Sequence, residues 1–193
     1  MAGLSRAALN TKSFIIDSGL QTGIEKFCIR KNLTLIGIAP ETMIEYPKPN
    51  PETFSNKMLT NGHSHFILVG NELNKLSWGD ETKFKLNFAE RLANGRKGFP
   101  YKCKVVGIIL GNIPNCEEEI CYFVDKNWPL ILIEDSDLSQ KIKSIRNNEE
   151  DFDIETKDTN LLQKIAKYTK LIEIEDDSEN LASAAHICLT ISF

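Results

Sequence analysis

Apolar residues gather in six short runs along the chain, at 13–17, 33–39, 65–69, 104–110, 130–133 and 171–174. Most are unbroken stretches of β-branched residues and leucine, not apolar–polar alternations. A strand covered on one face alternates, whereas a strand covered on both faces is apolar throughout. The runs therefore predict a parallel sheet between helix layers, with 105–110 and 130–133 as neighbouring strands. Helical patterns lie between them. Residues 22–31 form one, and 80–94 form another with Phe84, Phe88 and Leu92 at i, i+4 and i+8 facing inward. Residues 117–126 carry Ile120, Phe123 and Val124 on one side, and 160–169 carry Leu161, Ile165 and Tyr168. This alternation predicts an α/β, doubly wound, mostly parallel sheet with right-handed crossovers and helices on both faces. A half-helix at 4–9 comes before the first run. Sheets of this kind open with a strand, so the pattern implies that a first strand is missing upstream.

Two segments break the rhythm. Residues 46–62 open with the proline-rich Tyr46-Pro47-Lys48-Pro49-Asn50-Pro51, and 147–158 form an acidic loop with few apolar residues. Neither marks a boundary, because the strands on either side need each other's sheet. The 193 residues are therefore expected to form a single domain, 1–193. Composition narrows the function. Apolar residues make up 41% and charged residues 26%, as in an ordinary globular protein. A net charge of -4 argues against a nucleic-acid-binding face, which needs a basic surplus, and against docking on an anionic membrane. No run approaches the roughly 20 apolar residues of a membrane helix. The opening MAGLSRAALN lacks an apolar signal core. The expectation is a cytoplasmic chain without membrane insertion. Cys28, Cys103, Cys116, Cys121 and Cys188 are odd in number and scattered through apolar segments, which predicts reduced, buried thiols.

Two strand-to-helix turns are candidate sites. In Asp17-Ser18-Gly19-Leu20-Gln21-Thr22-Gly23 a glycine permits a sharp turn, and a helix starting near Thr22 aims free N–H groups at it. That is a recipe for holding phosphate. Turn chemistry alone also explains two glycines at this spacing. The place after a strand favours a ligand, because such sheets bind at the carboxyl ends of strands. In Gly111-Asn112-Ile113-Pro114-Asn115, Gly111 allows close approach, and Asn112 or Asn115 suits a helix cap or a ligand donor. Local sequence alone favours a capped turn there. The two turns are expected side by side at one end of the sheet.

Other residues weigh less. His63 and His65 would share a strand face, but no third ligand of matching type lies nearby, so a structural role is expected. Cys116 and Cys121 lack the second pair that zinc needs. No Ser-His-Asp arrangement stands out, and His186 reads as core. Trp78 before Gly79 sits at a helix mouth, where an aromatic ring stacks on a base or fills a corner. Lys85 would reach a phosphate or stay solvated.

In order, these segments resemble the N-terminal homology region of the melastatin-type TRP (TRPM) cation channels, a member of the SLOG (LSDAT-type) superfamily of Rossmann-like domains. The sharpest likeness is His63-Ser64-His65-Phe66-Ile67-Leu68-Val69, followed by a helix start that reads Trp78-Gly79-Asp80-Glu81 where the family has YG-E. The stretch from Ile16 to Ile24 tracks a strand followed by T-G-G-x-x-T-G-V, and Ile36-Gly37-Ile38-Ala39-Pro40 tracks I-G-I-A-P/T. Downstream, Val105 to Gly111 and Pro129 to Ser136 track the strands ending in G-G-P-G-T and E-G-S-G-R, and Leu171 to Leu189 resembles the region's end. The resemblance covers almost the whole chain. It implies a Rossmann-like fold, an anionic nucleotide ligand such as ADP-ribose, and neighbouring channel subunits or domains as partners. Its ligand positions fall on Ser18, Gly19, Thr22, Gly23, Trp78, Lys85, Gly111, Asn112 and Asn115.

The departures weaken that site. T-G-G becomes Asp17-Ser18-Gly19, and G-G-P-G-T keeps one glycine. The arginine after the family's G-S-G turn becomes Leu138 or a neighbour. The ligand-contacting Tyr and Arg align with Trp78 and Lys85. Lysine keeps the charge but loses the planar fork, and Asp17 would repel phosphate. The resemblance therefore implies a sensing domain with a degenerate site and no bound cofactor. The alternative is a structural module of a channel assembly without ligand. An enzyme of the superfamily's phosphoribohydrolase kind would use Glu118 as its carboxylate. The missing glycines and the missing arginine–lysine motif argue against it.

Overall fold

The apolar runs become two sets of parallel strands. The structure is a computed structural model in which residues 2–20, 32–46, 57–72, 75–95, 103–109, 117–133, 137–147, 158–175 and 178–190 are described. The chain divides into two compact units, Met1–Lys102 and Cys103–Phe193.

The first unit runs α1 (Ala2–Thr11), β1 (Phe14–Asp17), β2 (Thr34–Pro40), a 3-10 turn (Glu41–Met43), β3 (His65–Val69) and α2 (Thr82–Asn94). The strands lie in the order β1-β2-β3, all parallel. β2 is buried from Leu35 onward, as its unbroken apolar sequence requires of a middle strand. α1 is longer than its predicted core and buries Leu4, Ala7 and Ala8 at i, i+3 and i+4. The predicted helix at 22–31 lies outside the described residues.

α2 faces inward through Thr82 and Leu86, not through Phe84 as the spacing suggested. Phe84 lies about 200° round the helix from both, at about 100° per residue. It is 42% exposed and stacks on Phe88 with ring centroids 6.3 Å apart. The three aromatic and leucine positions shared a period, but Phe84 and Phe88 lie nearly opposite the buried stripe.

Gly37 in β2 pairs with Asp17 on one side and Phe66 on the other. The chain leaving β1 folds back across it. A Cβ on Gly37 would stand 2.7 Å from the Gly19 Cα and 2.8 Å from Phe66 Cδ1. One of those neighbours is backbone and cannot swing aside. Gly37→Ala is expected to destabilise the first unit by about 1–3 kcal/mol, as overpacking does. Urea denaturation followed by hydrogen exchange at β1 and β2 amides checks this. Unchanged stability would mean that the turn has room to move.

The proline-rich excursion is closed at its base, where the Lys57 carbonyl accepts a hydrogen bond from Glu45 N–H at 3.1 Å. Residues 47–56 between these feet lie outside the described residues.

The second unit runs β4 (Gly107–Ile109), α3 (Glu117–Asp125), β5 (Leu130–Ile133), α4 (Asp137–Arg146), α5 (Asp158–Ala166), β6 (Leu171–Ile174) and α6 (Ser178–Thr190). Its strands lie in the order β4-β5-β6, again parallel, with Gly107 opposite Leu130 and Leu130 opposite Leu171. The expected pairing of the fourth and fifth runs is present. β4 is shorter than the run that predicted it, since 104–106 carry no strand and Leu110 lies outside the described residues.

Ile109, Ile120, Leu130, Leu132, Leu138, Ile142, Leu161, Leu162 and Ile165 form one core cluster, against which Phe123, Val124 and Tyr168 pack. The helix faces predicted for α3 and α5 are therefore the ones that are buried. The Arg146 guanidinium at the end of α4 donates to the Ala166 carbonyl at 2.9 Å and pairs with Glu173. It thereby ties α4 to the end of α5 and to β6. The acidic loop ends where α5 begins, and 148–157 lie outside the described residues.

His186, read as core, is exposed. In α6 the helical period turns Leu181, Ala182, Ala184, Ala185 and Cys188 inward and leaves His186 and Ile187 outside. Among the described residues there are six α-helices, and none is long and apolar enough to cross a membrane.

Candidate functional site

Parallel strands place all their carboxyl ends on one edge. In the first unit that edge carries the turn after β1 and the approach to α2 after β3. Asp17 closes β1. Gly19 then takes φ +72°, a conformation costly for a residue with a Cβ. A side chain there would also meet Phe66 Cε1 at 2.8 Å and the Gly37 Cα at 2.9 Å. Only glycine satisfies both demands, which explains Gly19 without invoking a ligand. The strand continues as an antiparallel bridge between Leu20 and Leu59, and Gly19 O accepts the Thr60 N–H at 2.9 Å.

That return brings three polar side chains together. His63 Nε2 lies 2.6 Å from Asp17 Oδ1, and His63 Nδ1 lies 2.5 Å from Thr60 Oγ1. The His63 side chain is fully buried and that of Asp17 is 7% exposed. A carboxylate only accepts, so Nε2 carries a proton and donates; in the neutral ring Nδ1 then accepts from the Thr60 hydroxyl. The imidazole also packs against Phe66, with centroids 5.3 Å apart. This chain of contacts was not legible as an Asp-His-Thr motif, since Asp17 and Thr60 reach His63 only through the β1-β2-β3 topology. The likeness to a catalytic triad stops at composition: Thr60 is buried, with no exposed face for a substrate. His65 does not share the arrangement. It is exposed, in contact with Ser64 Oγ at 3.0 Å, while His63 precedes β3 instead of lying in it. Among the described residues no group of three or more His, Cys, Asp or Glu is placed to hold a metal ion.

At the approach to α2, the carboxylates of the turn itself meet its amides. Ser77 N–H donates to Asp80 Oδ2 at 2.7 Å, and Gly79 N–H donates to Glu81 Oε2 at 2.8 Å. Gly19 N–H likewise donates to Asp17 Oδ1 at 2.8 Å. Three amides of the kind that would cradle phosphate are thus taken by the chain's own acids. Asp17 is locked between Gly19 and His63. Glu41 adds a carboxylate at the end of β2, where a Cβ on Gly70 would meet its Oε2 at 2.7 Å.

Of the residues singled out in the sequence, Ser18, Gly19, Trp78 and Lys85 belong to this edge or its helix. Trp78 is 42% exposed. Lys85 lies in the first turn of α2 with its N–H on Glu81 O. Thr22, Gly23, Gly111, Asn112 and Asn115 lie outside the described residues, and so does the expected meeting of the Gly19 and Gly111 turns. Leu138, one of the positions on which the arginine after the family's G-S-G turn would fall, is buried in the core of the second unit. Glu118 is exposed in the first turn of α3.

The described thiols offer little chemistry. Cys103, Cys121 and Cys188 are free; Cys188 is buried, and the other two are partly so. Burial pushes the Cys121 and Cys188 thiols above their usual range, which lowers the thiolate fraction that reacts.

Parallel α/β architecture with a glycine turn closing the first strand defines a Rossmann-like domain of the SLOG type. The chain belongs to the family described as SLOG in TRPM, prokaryote, which matches residues 1–182. The match is to the prokaryotic form of the domain that the channels carry. No curated protein matches the chain.

Proposed function

We propose that this chain is a regulatory domain that senses a nucleotide derivative, with an ADP-ribose-like ligand and a degenerate site. The observation that carries this reading is the shared edge. The β1-β2-β3 register sets the Ser18–Gly19 turn and the Trp78–Gly79 helix mouth at the carboxyl end of one sheet, where α/β sheets take ligands. Trp78 offers a part-exposed ring to adenine, and Lys85 adds a positive charge one turn into α2. The acids that occupy the turn amides leave fewer donors for phosphate, so affinity is expected to be weak. Each lost contact that is worth about 1.4 kcal/mol costs a factor of ten. The finer part of the reading is a cytosolic role in a channel-like assembly, with neighbouring subunits or domains as partners and no catalytic turnover. Incubation with AMP is then expected to release no free base.

Isothermal titration with ADP-ribose is the test. Saturable heat with a dissociation constant from high micromolar to millimolar is expected. Trp78→Ala should weaken binding at least about tenfold, since base stacking on an aromatic contributes about 1–3 kcal/mol. Absence of saturable heat from a folded chain would sink the sensor reading. A ligand-free structural module would then take its place, the reading favoured by the self-occupied amides of Ser77, Gly79 and Gly19.

A further inference from the structure

Asn-Gly, a dipeptide that favours turns, occurs in the chain at Asn61-Gly62 and at Asn94-Gly95. It is also a sequence at which a protein can attack itself. The Gly amide nitrogen loses its proton and attacks the Asn Cγ; ammonia leaves, and a five-membered succinimide closes. Water then adds to one ring carbonyl. At Cγ it gives aspartate; at the backbone carbon it gives isoaspartate, whose main chain runs through Cβ. Glycine permits the attack because no Cβ shields its nitrogen. Closure also needs the Asn Cβ and the next nitrogen aligned about the Cα–C bond. The fold treats the two pairs differently. Asn94 closes α2, where a helical ψ of about −42° keeps those atoms out of line. Asn61 is exposed in a turn, and among the described residues no hydrogen bond engages the Gly62 N–H.

The residues on either side of this turn are anchored. Thr60 N–H donates to Gly19 O at 2.9 Å, and Thr60 Oγ1 meets His63 Nδ1 at 2.5 Å. His63 Nε2 donates to Asp17 Oδ1 at 2.6 Å. Ser64 N–H donates to Leu35 O, and Leu35 N–H donates to Ser64 Oγ, both at 3.1 Å. We propose that Asn61 is a site of spontaneous deamidation, and that its isoaspartyl product loosens the buried contact between His63 and Asp17. Isoaspartate adds one carbon to the main chain between Thr60 and His63. Only Asn61 and Gly62 separate these anchors, so the added length strains the span and the contacts of His63 yield. The buried carboxylate then loses a donor, a costly state. The reaction needs only water and time, so it acts as a chemical clock on the first unit.

The test is incubation of the full chain at neutral and at alkaline pH, followed by trypsin digestion and mass spectrometry with fragmentation. Cleavage after Lys57 and after Arg91 puts the two pairs in separate peptides. Asn61 is expected to convert, chiefly to isoaspartate, and faster at alkaline pH, since the attacking amide must lose its proton. Asn94 should lag by at least about tenfold, the factor that about 1.4 kcal/mol of barrier sets. In urea the two should react alike, because the helix that protects Asn94 is gone. The His63 ring resonances of the aged chain should shift by NMR. Those of Asn61→Gln aged alongside should not, nor those of fresh Asn61→Asp, which carries the charge without the added carbon. Equal rates at Asn61 and Asn94 in the folded chain overturn the site. Isoaspartate at position 61 with unchanged His63 resonances overturns its effect on the buried pair. The same shift in fresh Asn61→Asp assigns the effect to charge and overturns the lengthened main chain as its cause.

Discussion

His63→Ala is expected to destabilise the first unit by about 3–5 kcal/mol, the scale for removing one partner of a buried pair. The imidazole is the only side chain that donates to Asp17 among the described contacts, and its own surface is fully buried. Without it the carboxylate keeps the Gly19 N–H alone. Thr60 loses its partner at the same time, and Phe66 loses a packed ring. The measurement is urea denaturation of the native chain, of His63→Ala, of Asp17→Asn and of the double variant. Much of the cost should vanish when Asp17 is already neutral, because the penalty comes from a stranded charge and not from lost volume. A His63→Ala cost that is the same in both backgrounds would show that the pair is not coupled. A cost below about 0.5 kcal/mol, the range of ordinary surface changes, would remove the contact from any account of stability.

Leu162→Ala is expected to cost the second unit about 2–5 kcal/mol. Leu162 is fully buried on α5 amid Leu130, Leu132, Ile142 and Ile120. Truncation leaves a cavity that the flanking strand and helices can only partly close. The contrast is Ile187→Ser on α6, where the side chain is 44% exposed and the change should stay within about 0.5 kcal/mol. Chemical denaturation of the two variants decides the matter. Equal effects would mean that the apolar cluster is not the seat of stability in this unit.

Strands were the most legible part of the molecule. β3, β5 and β6 coincide with their runs to the residue; of the three only β5 is apolar and buried at every position, while β3 opens on exposed His65 and Phe66 and β6 is half-buried and carries Glu173. Helices were legible when their stripe was dense, as in α3 with Ile120, Phe123 and Val124. α4 escaped because Leu138, Ile142 and Ile145 are its only large apolar residues in a polar sequence. α6 escaped for the opposite reason: Leu181, Ala182, Ala184, Ala185, Ile187, Cys188 and Leu189 crowd together, so the apolar tail reads as helix or strand alike. The phase of α2 was misjudged because Phe84 and Phe88 are large but lie nearly opposite the stripe that Thr82 and Leu86 define. In the site, Gly19 and Trp78 were visible as turn and helix-mouth residues. The His63 contact with Asp17 spans 46 residues of sequence and exists only because β2 lies between β1 and β3. Nothing local to either residue announces it.

The hydrogen bond from Glu45 N–H to Lys57 O has an evolutionary consequence. It joins the two described feet of the proline-rich excursion, Glu45 and Lys57, so the sheet meets the same closed base whatever length of chain is inserted between them. Closing a longer loop between fixed feet is cheap, about 0.6 kcal/mol for each doubling of its length. The span between Tyr46 and Lys57 is therefore free to lengthen, shorten or accept a grafted peptide while Asp17, His63 and Thr60 keep their places. Descendants of this domain can acquire new sequence there without renegotiating the chemistry at the end of β1.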